Sequence, residues 1–353
     1  MEHRLKGKKQ ELIRTSRLIA ENNLKDQLFS ILTKWEFLLG LLLLFEMILF
    51  SNLSPYFLDY FNLMNSTFNY MEKAIMALPM IYIIMSGDID ISIASIIALC
   101  SFSMGYASSN GVGTLGIIII GLGVGVAAGM FNGFFVTIFK MPAIAVTLAT
   151  QSIFRGISQA VLEDQAYTHY PERFAYFGQG YIGNSEIPFE LILFIILAAV
   201  MGFILHKTRY GRKLYAIGNS KEAARFSGIQ VDRIRFLNFI LMGLFSGIAA
   251  VLLTSRIGST RPNIALGWDM EVITLVVLGG VSITGGKGNL FGVLIAVFLL
   301  GYLKFGMGLL NLSAKVMVIM TGLLLIGAVL LPGFLDTIKS RRKLRQQQKL
   351  SVS

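Results

Sequence analysis

The sequence predicts an all-α, multi-spanning membrane protein with about ten transmembrane helices and both termini cytoplasmic. Three observations predict it. Of 353 residues, 54% are hydrophobic and only 14% charged, against roughly 25% charged in soluble domains. The apolar residues gather in runs close to the ~20 that a bilayer crossing needs. The basic residues flank those runs: 22 of the 31 Lys and Arg lie in residues 1–36, 206–235 and 333–353. The largest polar stretch outside these blocks, Glu163–Glu186, holds Arg173 against Glu163, Asp164, Glu172 and Glu186. Basic loops stay cytoplasmic, so the net charge of +11 reports orientation and argues against a nucleic-acid partner.

Residues 1–36 are read as a basic cytoplasmic extension. Leu12, Ile13, Leu18, Ile19, Leu24, Leu28, Phe29, Leu32 and Trp35 recur there at near-helical spacing. That pattern fits an amphipathic helix on the membrane surface, or else a basic tail. It does not fit a cleavable signal, whose apolar core would come almost at once.

The transmembrane domain, 37–332, follows. Phe37–Leu53, Phe68–Met85, Ile89–Ser109, Thr114–Phe139 and Pro142–Leu162 come before the Glu163–Glu186 loop. Ile187–His206 leads into the basic loop 206–235, and Phe236–Ser255, Glu271–Ile283, Leu290–Phe305 and Val316–Leu331 come after it. Ten crossings bring the chain back to its starting side, and the 206–235 loop then shares that side with the basic tail 333–353. Pro79 and Pro142 fall within spans and Glu271–Ile283 is short. Broken or short helices suit a carrier better than a passive anchor.

Gly121, Gly125, Gly129 and Gly133 recur every fourth residue on one helix face. Small residues at that spacing let two helix backbones approach closely within a membrane. Charged residues inside or beside spans are Glu46, Glu72, Lys73, Asp90, Arg155, Glu271 and Lys304. Such groups face a cavity or a partner, or snorkel where they lie near a boundary. Asp88 and Asp90 stand at a helix start, where carboxylates favour the N-terminal dipole.

Two soluble-protein motifs fail on context. Gly111-Val-Gly113-Thr-Leu-Gly116 has the dinucleotide spacing, but no strand precedes it. Gly280-Val-Ser-Ile-Thr-Gly285-Gly286-Lys287 is one residue too long for a phosphate loop, and Gly288 replaces the magnesium-holding Ser or Thr. The chain is therefore expected not to hydrolyse ATP itself. Cys100 is the one cysteine, and His3, His169 and His206 lack ligand spacing, so no disulfide, metal site or cofactor is expected. Without a His inside the membrane to activate a serine, an enzyme reading is poor.

The loop 206–235 is more informative. Ser220 can cap a short helix that Gly228 ends, with Gly218 releasing the chain before it. The helix would carry Glu222, Ala223, Ala224 and Arg225, with Phe226 and Ile229 as apolar knobs. Such a face suits docking into another protein's groove, and equally an ordinary linker.

Glu222-Ala223-Ala224-x-x-x-Gly228 resembles the coupling-helix signature of ABC importer permeases. The surrounding GRKLYAIGNSKEAARFSGIQVDRIRF resembles their ribose/monosaccharide branch. So do MSGDIDISIASIIALC at 85–100, GSTRPNIALGWDMEVITLVVLGGVSITGGKGNLFG at 258–292 and FGMGLLNLS at 305–313. The branch usually has Gly-Gly-Ile-Asp-Leu-Ser-Val-Gly-Ser, where this chain has Asp88 at the second Gly and Ala94 at the later one. Asp88, Ala94-Ser95, STFNYMEKAIMAL at 66–78 and DQAYTHYPERFAYFGQGY at 164–181 are similar to rhamnose-importer permeases. Autoinducer-2 importer permeases share the general pattern.

The resemblance implies a permease subunit in a bacterial cytoplasmic (inner) membrane, importing a monosaccharide-like solute. It implies a second permease chain, two cytoplasmic ABC ATPase subunits and an external solute-binding protein as partners. Ser220, Glu222, Ala223, Ala224, Arg225 and Gly228 would receive the ATPase stroke. Arg256 and Arg261 would meet the binding protein. Asn132, Thr147, Thr150, Gln151 and Asp90 are candidates to line a weakly polar path, though the same residues suit interhelical hydrogen bonds worth about 1 kcal/mol each. A secondary carrier, the other class of transporter, would work without ATP and collapse with the membrane potential.

Overall fold

The computed structural model describes residues 34–324, 326 and 327. Nearly all of the basic extension 1–36 and the whole tail 333–353 lie outside the described residues. A helix overlaps each of the ten apolar runs expected as spans. These are α1 Trp35–Leu53, α2 Met71–Met85, α3 Ile93–Ser109, α4 Thr114–Thr137 and α5 Ala143–Leu162. α6 Phe189–Lys207 leads to two helices of the basic loop, α7 Arg209–Asn219 and α8 Lys221–Phe226. α9 Val231–Ile257, α10 Trp268–Leu278, α11 Leu290–Leu309 and α12 Ala314–Leu324 complete the bundle. Five of them, α1, α4, α6, α9 and α11, are long and apolar enough on their own to cross a membrane. Among the described residues the only β pairing is two isolated bridges, Tyr167 with Thr260 and Tyr181 with Pro188.

The core is built around α2, in which every residue except Lys73 is buried. Its sequence is apolar all round, the pattern of a helix enclosed by others. Pro79 lies inside this helix, in the enclosed setting where a proline in a membrane helix is tolerated. α1 and α6 instead keep large apolar side chains exposed, among them Phe45, Ile48, Ile196 and Phe203, as a lipid-facing surface would.

The glycine stripe of α4 meets α9. A Cβ at Gly125 or Gly129 would run into the α9 backbone at Gly243 and Phe239. The fit is reciprocal, since a Cβ on Gly243 would sit 2.9 Å from the Gly129 Cα. Gly133 meets the Phe236 ring at 2.9 Å, while Gly121 meets the Met104 sulfur on α3 at 2.6 Å. At Gly125, Gly129 and Gly243 the close atoms are backbone and only a hydrogen fits, so the two longest helices of the bundle lie backbone to backbone there.

Three local expectations change. Pro142 does not break a span; it stands just before α5, where its missing N–H costs nothing. The helix expected over Glu271–Ile283 runs over Trp268–Leu278 and stops at Gly279, with Gly280 at φ +89°. Gly218 does not release the chain. It lies inside α7, and the chain turns at Ser220 (φ −163°, ψ 114°).

Candidate functional site

One end of the bundle gathers the turn 86–92, the turn 138–142, the basic loop 206–230 and the loop 279–289. Local sequence sets each piece. Thr208 accepts from the Tyr210 N–H to start α7. Ser220 accepts from the Ala223 N–H at 3.2 Å to start α8, and Gly228, at φ +79°, lets the chain leave it. α7 is amphipathic, with Leu214 and Ile217 buried. Its Tyr210 hydroxyl donates to Asn238 Oδ1 of α9 at 2.6 Å, and Tyr215 donates to the Gly288 carbonyl at 2.8 Å. Burial pushes both phenols above their usual range, so they remain neutral hydrogen-bonding hydroxyls.

Gly218 explains how closely α7 docks. Any Cβ there would collide with the Met85 carbonyl and the Gly286 backbone. The Gly286 N–H donates to that same Met85 carbonyl at 3.1 Å. Three backbones thus meet under α8.

α8 itself is presented outward. Ala224 is its only buried residue, while Glu222, Ala223, Arg225 and Gly228 are exposed and Phe226 is 93% exposed. The Phe226 ring thus stands in solvent between the charges of Glu222 and Arg225. Both ends of the helix are tied down. Lys221 Nζ lies 3.0 Å from Asp88 Oδ1. Asp88 is also held by Arg235, through Nε to Oδ2 at 2.6 Å and Nη2 to Oδ1 at 2.8 Å. At the other end Arg225 reaches Asp232 at 2.9 Å, and Lys140 of the α4–α5 turn reaches the same carboxylate at 2.5 Å. Asp88 and Arg235 are 6% and 7% exposed, whereas the Asp232 pairs are open to solvent.

The path candidates do not converge on one cavity. Asn132 donates to Ser92 Oγ at 2.8 Å, and Ser92 donates to Asp90 Oδ1 through its hydroxyl at 2.6 Å and its N–H at 2.8 Å. This chain links the start of α3 to α4. Thr147 donates to the Ala143 carbonyl of its own helix at 2.9 Å, and Thr150 to Thr147 at 3.3 Å. All four are buried, which suits interhelical and local bonding; Gln151 is half-buried. The exposed residues of α5 include a small and polar row, Ala145, Ala149, Ser152 and Gln159, flanked by the large apolar Ile144, Leu148, Ile153, Ile157 and Val161.

At the opposite end, Arg155 of α5 donates to the carbonyls of Pro262 at 3.0 Å, Ile264 at 2.7 Å and Ala94 at 3.0 Å. Ser101, Thr254, Thr260 and Tyr170 form a hydroxyl cluster at 2.6–2.7 Å. Burial pushes Tyr170 up to about 12, so it stays neutral. Arg261 is exposed on a polar cleft lined by Gln159, Glu163, Asp164 and Asn263. Arg256 is not free in the same way, because its Nε holds buried Glu72 at 2.7 Å.

Sequence spacing missed the Asp88–Arg235 pair, since its members lie 147 positions apart. It also read Asp88 as a helix cap, whereas the structure shows an ion pair. The triad in which Lys73 and Lys304 share Glu271, at 2.7 and 2.6 Å, was equally invisible. The one usable signal was that all were charges at the margins of apolar runs.

A family model described as "Branched-chain amino acid transport system / permease component" matches residues 62–329. The ribose import permease protein RbsC of Bacillus subtilis (strain 168) is 35% identical over 295 residues, 83% of this chain and 90% of that protein. The autoinducer 2 import system permease protein LsrD of Escherichia coli (strain K12) is 36% identical over 301 residues, 84% of this chain and 91% of that one. Its Photorhabdus laumondii counterpart is 34% identical over 301 residues, covering 84% and 90%. A solved structure titled "An inward-facing conformation of a putative metal-chelate type ABC transporter" aligns with 86% of this chain and 98% of its own, at TM-score 0.48 and 14% identity.

Proposed function

This chain belongs to the branched-chain amino acid transport system / permease component family, as an importer permease of its ribose-type branch, and from that premise we propose that it carries a rhamnose-like monosaccharide. It is a multi-pass protein of the bacterial inner membrane, with ten crossings and both termini cytoplasmic in our reading. ATP is hydrolysed by partner ABC ATPase subunits, and an external solute-binding protein delivers the sugar.

The observation that carries this reading is α8, a capped helix whose Phe226 is 93% exposed beside Glu222 and Arg225. An ATPase groove would take that knob. Closure of the ATPases on nucleotide would then push α8 and α7 as a unit, because Gly218 locks α7 against Met85 and Gly286. The bundle would rock between outward- and inward-open states.

We place the solute path along α5. One exposed row of it, Ala145, Ala149, Ser152 and Gln159, is small and polar beside the apolar Ile144, Leu148, Ile153 and Ile157, and a second permease chain facing that row would enclose a weakly polar channel. Weak polarity suits a carrier that must release its cargo. Arg261, open on the cleft with Glu163 and Asp164, is our contact for the binding protein. With Arg256 committed to Glu72, that residue serves better to fix the external ends of α2 and α9.

The test is uptake by the complete importer in proteoliposomes. Labelled L-rhamnose is expected to enter only with ATP inside, and uptake insensitive to ATP but abolished by an uncoupler would mean a secondary carrier. The second reading, autoinducer-2, is favoured by the two LsrD relatives at 34% and 36% identity. ATP-driven entry of autoinducer-2 without rhamnose would select it.

A further inference from the structure

We infer that Asp88 is the positioning residue through which movement of α8 reaches the membrane helices, an inference that rests on α8 being the ATPase-docking helix. Three elements meet at this one carboxylate. It belongs to the turn between α2 and α3, where Gly87 at φ +72° reverses the chain after Met85. Arg235, in the first turns of α9, grips it through two parallel bonds of 2.6 and 2.8 Å. Lys221, the first residue of α8, adds a third at 3.0 Å and reaches the neighbouring Gly87 carbonyl at 3.2 Å.

Paired, nearly parallel bonds between guanidinium and carboxylate resist both sliding and rotation. Burial makes the contact stiff: Asp88 is 6% exposed and Arg235 7%, so water cannot substitute for either partner. The other restraint on α8 rests on Asp232, which is open to solvent and meets Arg235 only at 3.8 Å. The Arg225–Asp232–Lys140 pairs are solvent-exposed, and exposed pairs hold weakly. At its Lys221 end the lysine side chain, 34% exposed, meets a carboxylate side chain that is 4% exposed and fixed from behind by Arg235, so a push on α8 enters the buried pair there. From Asp88 it passes to α3 through the short segment 89–92, where Asp90 and Ser92 are hydrogen-bonded to each other and to Asn132 of α4. It passes to α9 through Arg235. Those are the helices whose glycine seam joins them to α4, so one carboxylate links the stroke to three spans.

The test uses the complete importer, with its ATPases and binding protein, reconstituted in proteoliposomes. Phosphate release and uptake of labelled L-rhamnose, or of autoinducer-2 where the wild type prefers it, are measured together. Asp88→Asn is expected to keep its ATPase subunits through purification and to hydrolyse ATP within about twofold of wild type. Its uptake per ATP falls about tenfold, within the usual range of energetic coupling between sites. Arg235→Lys keeps the charge but loses the paired geometry, and shows a smaller fall in the same ratio. Arg233→Gln, which loses an exposed bond of 3.0 Å to Gln230, leaves the ratio unchanged. The inference is overturned if uptake per ATP is unchanged in Asp88→Asn. It is overturned equally if uptake and hydrolysis vanish together because the ATPases are lost, which would make Asp88 a fold residue only. Should Asp88→Asn yield no folded permease chain at all, Arg235→Lys decides by the same ratio. The docking reading fails on a separate result, full transport in Glu222→Lys, which leaves these outcomes legible.

Discussion

Phe226 and Glu222 show how a short helix can be functional without being stable on its own. Six residues are too few to form a helix in water, so α8 exists because Ser220 caps it and Ala224 is buried beneath it. Its outward residues contribute almost nothing to that stability. Phe226→Ala and Glu222→Lys are therefore expected to leave the unfolding temperature of the purified chain unchanged while reducing uptake by the assembled importer at least tenfold. Normal uptake would remove α8 from the mechanism. Gly218 is the opposite case: Gly218→Ala puts a methyl into the Met85 and Gly286 backbones, an overpacking that costs ~1–3 kcal/mol. Thermal unfolding in detergent is expected to show a clear drop. Gly228 has open space around it, so its substitution costs only the ~1–2 kcal/mol of left-handed backbone, and its effect is expected in uptake before stability. The glycine and Glu-Ala-Ala spacing of this loop was legible in the sequence because it is local. Asp88 was not, because nothing local distinguishes a capping carboxylate from one that waits for an arginine on a distant helix.

At the scale of elements, hydrophobic runs located the helices, five of which are long and apolar enough to cross a membrane on their own. Boundaries moved where the deciding contact was tertiary. α9 begins at Val231, five residues before the expected span, because its first turns carry Asp232 and Arg235 into the ion pairs beneath the bundle. α7 went unread because only three of its residues are buried, Gly211, Leu214 and Ile217. The α4–α9 seam is the element contact most exposed to test. Gly129→Leu would thrust a side chain into the Phe239 carbonyl and Gly243, whereas Gly123 has nothing within 4 Å of an added Cβ. The first variant is expected to lose several degrees of unfolding temperature and the second to stay near wild type. Equal loss in both would deny the seam its role.

For the whole molecule, charge and hydropathy divide the work. The apolar 54% sets the solvent, and in our reading the three basic blocks set which way the chain faces it. The structure adds a mechanical reason for one of those blocks. Residues 206–235 build a platform in which α7, α8 and the base of α9 are held to the turns 86–92, 138–142 and 279–289 by the Lys221–Asp88–Arg235 and Lys140–Asp232–Arg225 pairs and the Gly286 to Met85 bond. The solute was the least legible feature, because the polar residues singled out inside spans bond to their own neighbours, and the exposed face of α5 is recognisable only once the packing is known. The central claim, that this platform receives an ATPase, is tested most directly by placing a photo-crosslinking amino acid at Phe226 in the assembled importer. The account predicts an adduct with the ATPase subunit that forms on illumination and is absent with the same probe at Leu115, on the far end of α4. A probe at Phe226 that yields no ATPase adduct in a complex active for uptake would contradict it.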